Sequence, residues 1–182
     1  MDMATPIIAQ VHGFCLAGGT ELATACDLVY VAHDAQVGYP PVRSMASPDM
    51  AWHTWILGMR RAMEAMLTGD SMTGDEAVAS GFANRAFPVE QLDAEVLAIA
   101  QRVAKVPADL QALNKRVVHR AMEAMGMRDG MRATADINAL CKLIEVLSQL
   151  ITESCAAPMS GAIMFPTRSG IASQSSFQER IR

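Results

Sequence analysis

The spacing of apolar residues changes character near residue 48. Before it, short β-branched runs alternate with glycine. Ile7-Ile8-Ala9-Gln10-Val11-His12 reads as a buried strand, and Gly13 to Gly19 as a glycine-rich turn. Thr20 to Cys26 follows as a helix, with Leu22, Ala23 and Cys26 on one face. Asp27 to Ala32 is a second strand, and Val37-Gly38 a short extended piece before the break at Tyr39-Pro40-Pro41. Strand, turn, helix, strand is a βαβ unit, which favours a parallel sheet.

After Pro48 the period is helical. Helices are expected over Met50–Leu57 and Met59–Leu67, on either side of Gly58. Thr73 to Ala79 is a short helix, with Thr73 as N-cap, Glu76 as its capping-box partner and Gly81 as stop. Ala83 to Phe87 is extended and ends at Pro88. Val89 to Val106 carries an apolar stripe of Leu92, Val96, Ile99, Ala100 and Val103. Pro107 opens a helix that runs to about Met125, Gly126 and Gly130 flank a break, and a last helix spans Met131 to Ser154. The expected class is α/β. Residues 1–48 form the α/β core with the glycine turn, 49–155 a helical region used for assembly, and 156–182 a loosely ordered Ser/Gly/Pro-rich tail.

Composition narrows the function classes. Of 182 residues, 51% are hydrophobic and 19% charged, which suits a packed core rather than a disordered chain. The formal charge of -4 argues against nucleic acid or an anionic membrane as partner, since both call for a basic face. The first residues lack the basic start and long apolar stretch of a signal peptide, so a cytoplasmic setting is expected. Cys15, Cys26, Cys141 and Cys155 include no C-x-x-C pair and no histidine at zinc-ligand spacing, so reduced, buried thiols are expected and no metal. Met59, Met63, Met66, Met122 and Met125 recur at helical spacing and read as core.

The informative stretch is Val11-His12-Gly13-Phe14-Cys15-Leu16-Ala17-Gly18-Gly19-Thr20-Glu21-Leu22-Ala23. Here a strand enters a glycine turn that opens a helix. The first amides of a helix have no internal acceptor and carry the positive end of its dipole. A glycine lets a ligand oxygen come close to that backbone. Such a turn can hold a thioester, enolate, carboxylate or phosphate oxygen. Glu21 lies one turn beyond Gly18, so its carboxylate can act beside the Gly18 amide as an acid or base next to a carbonyl. The plainer alternative is a tight turn followed by a glutamate that only complements the dipole. The phosphate-loop patterns G-x-x-x-x-G-K-[ST] and G-x-G-x-x-G are absent.

The run Ile8 to Gly13, Gly18-Gly19-Thr20-Glu21-Leu22-Ala23 and Cys26-Asp27 resembles the signature of the crotonase (enoyl-CoA hydratase/isomerase) superfamily. The likeness continues through Ala35 to Pro40, Ala62 to Asp70, Ala77 to Asn84 and Phe87-Pro88, covering roughly Pro6 to Met125. It implies a spiral of ββα turns followed by helices, trimers or hexamers, and an acyl-CoA thioester as partner. No cofactor is implied beyond the coenzyme A of the substrate. It also implies that the amide matching Gly18 helps hold the thioester oxygen and that Glu21 is the first of two catalytic glutamates. Ala17, Gly19, Tyr39 and Pro41 would line the substrate.

Two departures qualify this. The position of the second glutamate is Pro41, which can neither take nor give a proton. Asp49 and His53 are the nearest ionisable replacements, against the plainer reading of a loop carboxylate and a surface imidazole. The family's N-terminal half, with the second oxyanion donor and several strands, has no counterpart in this sequence, which implies an exposed sheet edge prone to association. A catalytically silent CoA-ester binder or oligomer subunit, or a helical interaction module, is therefore the alternative to an enzyme. Arg60, Arg61, Lys115, Arg116 and Arg120 are candidates for CoA phosphates, or else a solvated helix face. His12, His33 and His119 are expected to be satisfied or exposed, and Trp52 and Trp55 to pack on one helix face.

Overall fold

The computed structural model describes residues 3–43, 48 and 50–156. The chain divides into two units, Met1–Val146, which carries the packing below, and Leu147–Arg182. The expected tail and Asp49 fall outside the described residues, save Ala156 at the end of the last helix.

The strands are β1 (Ile8–Val11), β2 (Phe14–Leu16), β3 (Leu28–Ala32), β4 (Gln36–Gly38), β5 (Met72–Thr73) and β6 (Arg85–Phe87). The helices are α1 (Gly18–Ala25), α2 (Trp52–Thr68), α3 (Gly74–Ser80), α4 (Val89–Val103), α5 (Ala108–Ala124) and α6 (Met127–Ala156), with a 3-10 turn at Pro40–Arg43. Two three-stranded sheets form, ordered β1-β3-β6 and β2-β4-β5. β1 pairs parallel to β3 with Ile8 opposite Leu28, and β2 parallel to β4 with Phe14 opposite Gln36. Among the described residues, only β4–β5 is antiparallel. The parallel βαβ reading is met, but the turn after β1 itself holds a strand, so successive strands feed different sheets. The core gathers Val29, Val31, Val37, Trp52, Phe82 and Leu92, with Val96 and Ile99 from the stripe of α4.

Local signals explain the boundaries. Thr73 caps α3 with the full capping box, its side chain accepting from the Glu76 amide while Glu76 accepts from the Thr73 amide. That bond to the Thr73 amide holds the Glu76 carboxyl below its usual range. Gly81 closes α3 in the left-handed region at φ 89°. Gly58, at φ 72° and ψ 164°, breaks α2 into the two expected segments.

Several expectations fail for physical reasons. Gly130 does not break a helix. It lies inside α6, which begins at Met127, and faces Trp55, whose ring a Cβ at this position would meet at an ordinary van der Waals distance of 3.4 Å. Leu22 is 72% exposed, and the buried residues of α1 are Thr20 and Ala23. Met59, Met63 and Met125 are exposed rather than core. Cys15 is buried, Cys26 and Cys141 only half-buried, and Cys155 carries no side-chain description. Lys115 is not on a solvated face. Its ammonium donates to the Asp27 carboxylate at 2.8 Å and to the Thr5 carbonyl, with 10% of the side chain exposed. Asp27 also accepts from the Ile7 amide at 2.7 Å, so one carboxylate ties the start of β1, the start of β3 and α5 together.

Candidate functional site

Helix α1 begins at Gly18 without a side-chain cap. Its N-cap residue, Ala17, sits at φ 51° and ψ -119°, a conformation ordinarily left to glycine. Three donors hold it there. The Ala17 carbonyl accepts from the Thr20 and Glu21 amides and from the Thr20 hydroxyl, while the Ala17 amide donates to the Gly38 carbonyl at 3.1 Å. Thr20 is fully buried, so this bracket is anchored in the core. The Gly18 and Gly19 amides make no hydrogen bond among the described residues, and both glycines are exposed. A Cβ at Gly18 would meet nothing within 4 Å, so glycine is not required there by the chain's own packing. Glu21 is half-buried one turn further along α1.

The Ala17–Gly38 bond brings Tyr39 and Pro41 beside the turn, because they continue directly from β4. Pro41 lies in the 3-10 turn that packs against α2. The ends of β2 and β4 are thus joined at Ala17 and Gly38, with Gly18, Gly19 and Glu21 following on one strand's side and Tyr39 and Pro41 on the other's.

His53 departs from the surface imidazole of the plainer reading. It is 2% exposed, stacked on Trp52 with ring centroids 3.6 Å apart, and meets Tyr39 edge-on at 6.2 Å. Burial pulls its pKa down to about 4, so it is neutral near pH 7 and a weak base. Trp52 also packs edge-on against Phe82.

Two cavities flank this region. One of about 390 Å³ is walled by Gly38, Trp52, His53, Arg61, Glu64 and Asp70 among others. The other, of about 630 Å³, runs between α2, α5 and the start of α6 and has Trp52, Trp55, Lys115, His119 and Met122 in its wall. Gly18 and Glu21 belong to neither wall. Of the basic candidates, Arg61 donates to the Ala79 carbonyl, and Lys115 is engaged by Asp27. His33 contacts Asp75 at 2.6 Å, His119 lies 3.8 Å from Asp27, and His12 is exposed. No sequence signal marks the Trp52–His53 stack, since a histidine among helical apolar positions looks the same whether it faces inward or outward. Among the described residues, no helix is long and apolar enough to cross a membrane.

Comparison with known proteins completes the picture. The family profile described as enoyl-CoA hydratase/isomerase matches residues 1–145. The mitochondrial enoyl-CoA hydratase of Pongo abelii is 32% identical over 130 residues, 70% of this chain and 44% of that protein. The crystal structure of an enoyl-CoA hydratase from Mycobacterium smegmatis superposes with a TM-score of 0.74 at 30% identity, covering 76% of this chain and 48% of that one. An enoyl-CoA hydratase/isomerase from Xanthobacter autotrophicus Py2 gives 0.71 at 35% identity, over 74% of this chain and 51% of that one. The chain belongs to the enoyl-CoA hydratase/isomerase family and has the crotonase fold, with a helical C-terminal region. It spans about half the length of the curated relatives it matches.

Proposed function

We propose that this chain carries the thioester-binding turn of an enoyl-CoA hydratase/isomerase-like protein, with Gly18 as backbone donor to the acyl carbonyl and Glu21 as acid/base. The observation that carries the reading is the pair of unengaged, exposed amides at the uncapped start of α1, with a carboxylate one turn on. A carbonyl oxygen that gains negative charge on enolisation gains most from a fixed donor in this position. Glu21 would take a proton from the carbon next to that carbonyl and return it further along the chain, so that the double bond moves. That sequence uses one carboxylate and leaves no atom unaccounted for. Adding water across the double bond ordinarily employs a second carboxylate, and Pro41 offers none. His53 is a poor substitute as a base, being covered and titrating near 4. Self-association as a trimer or hexamer fits the exposed apolar side chains of α2 (Met59, Met63 and Leu67).

A second reading, a CoA-ester binder without turnover, is favoured by Pro41 alone. Crotonyl-CoA hydration and 3-enoyl-CoA isomerisation, followed for wild type and Glu21→Gln, separate the two. The enzyme reading expects turnover that falls by about 10²-fold or more on substitution. Thioester binding without turnover establishes the silent relative, and no binding of either thioester removes both.

A further inference from the structure

The Ala17 carbonyl and the Gly18 amide belong to one peptide unit, a rigid plane in which C=O and N–H point in opposite directions. Whatever grips that oxygen therefore aims that N–H. The oxygen accepts from the Thr20 amide at 2.9 Å, from the Glu21 amide at 3.3 Å and from the Thr20 hydroxyl at 2.6 Å. The hydroxyl makes the shortest of these bonds and is the one donor of the three that a side chain supplies. Thr20 is fully buried, so water does not compete for its bond.

The grip works against strain. Ala17, at φ 51° and ψ -119°, occupies a conformation ordinarily left to glycine. A half-turn of the Ala17–Gly18 plane would carry its ψ to about 60°, into the left-handed region that alanine can occupy. Gly18, having no Cβ, tolerates the matching change in its own φ. The flip would relieve the strain at Ala17, but it would swing the Gly18 N–H to the opposite side and leave a carbonyl where the donor stood. A carbonyl that accepts hydrogen bonds also polarises its own peptide, which strengthens the N–H as a donor.

We propose that Thr20 is a positioning residue for the thioester site: its hydroxyl locks the Ala17–Gly18 peptide against this flip and strengthens the Gly18 amide as a donor. The assignment rests on the thioester reading above. A threonine that bonds back to a carbonyl three residues earlier is also a common local device. With that role alone, a bound thioester would be indifferent to the hydroxyl.

The test uses the full chain and crotonyl-CoA carrying carbon-13 at the thioester carbonyl. Difference infrared spectroscopy of the bound ester reads the pull on that oxygen and needs binding but no turnover. Wild type should lower the carbonyl stretching frequency on binding. Thr20→Val, which keeps the shape and loses the hydroxyl, should reduce that shift by about a third or more. Thr20→Ser loses a buried methyl and so lowers Tm, yet keeps the hydroxyl and should keep the shift. Where 3-enoyl-CoA isomerisation is measurable, Thr20→Val should lower kcat by roughly tenfold, short of the loss of a whole donor, with KM within about threefold. A full shift in Thr20→Val, or a shift that falls with Tm regardless of the hydroxyl, overturns the proposal. Should Thr20→Val fail to fold, Thr20→Ser against Thr20→Ala makes the same comparison. If wild type binds no thioester, or binds it without a shift, the reading of the turn falls and takes Thr20 with it. A wild-type shift that survives loss of the hydroxyl removes the role of Thr20 alone.

Discussion

Gly18→Ala should move stability and ligand binding in opposite directions. At this position a Cβ meets no atom within 4 Å, and the backbone is outside the left-handed region, so alanine enters without strain. Alanine in place of glycine restricts the unfolded chain and favours the helix, worth about 0.4–1 kcal/mol. In a chain of 182 residues this raises Tm by roughly 1–4 °C. Yet the added methyl stands beside the one amide proposed to meet the acyl oxygen. Loss of a single such donor typically costs about 10²–10³ in rate, or about 2.7–4 kcal/mol. Thermal unfolding followed by circular dichroism, together with calorimetric titration of crotonyl-CoA, reads both effects on one sample. A protein that gains stability and keeps its thioester affinity and turnover would refute the claim that the start of α1 grips a carbonyl. A protein that loses stability would refute the packing argument instead.

Two further substitutions probe the frame around the site. Asp27→Ala leaves the nearly buried Lys115 ammonium and the Ile7 amide without their acceptor, and should cost about 2–4 kcal/mol in urea unfolding, after allowance for partial exposure of the pair. Lys115→Met on that background should recover part of the loss, and single costs below about 0.5 kcal/mol would show that the tie contributes little. His53 sets a pH dependence whose sign follows from its depressed pKa. Below about 6.5 the unfolded chain takes up a proton that the folded chain refuses until about 4, so stability falls as pH drops through that window and then levels off. The full shift corresponds to about 3 kcal/mol. Unfolding of wild type and His53→Leu between pH 7 and 4 checks it, and parallel profiles would sink the assignment.

The elements that local chemistry governs were legible in the residues. Thr73, Glu76 and Gly81 bound α3 because a capping box and a left-handed stop need only their own neighbours. Gly58 interrupts α2, and the α4 stripe buries Leu92, Val96 and Ile99 as its period requires. Non-local contacts were not legible. The three-residue strand β2 exists because Gln36–Gly38 pairs with it, and nothing within Phe14–Leu16 distinguishes a paired strand from a turn. Gly130 reads as a break because a glycine inside a helix, beside the Trp55 ring, is identical in sequence to one that ends a helix. Met59 and Met63 share a helical period with buried positions, but period cannot say whether that face meets this chain or water. At the site, the turn and Glu21 stood out by motif, whereas the burial of His53 depends on α2 meeting the 3-10 turn that contains Pro41.

The aim of the Gly18 amide resides in main-chain torsion. It is fixed by an alanine held at an unfavourable angle and by the bracket of bonds around its carbonyl. A change of side chain elsewhere, such as at position 41, therefore leaves the direction of that amide untouched. Such a scaffold can change its chemistry one side chain at a time and keep the same handhold throughout.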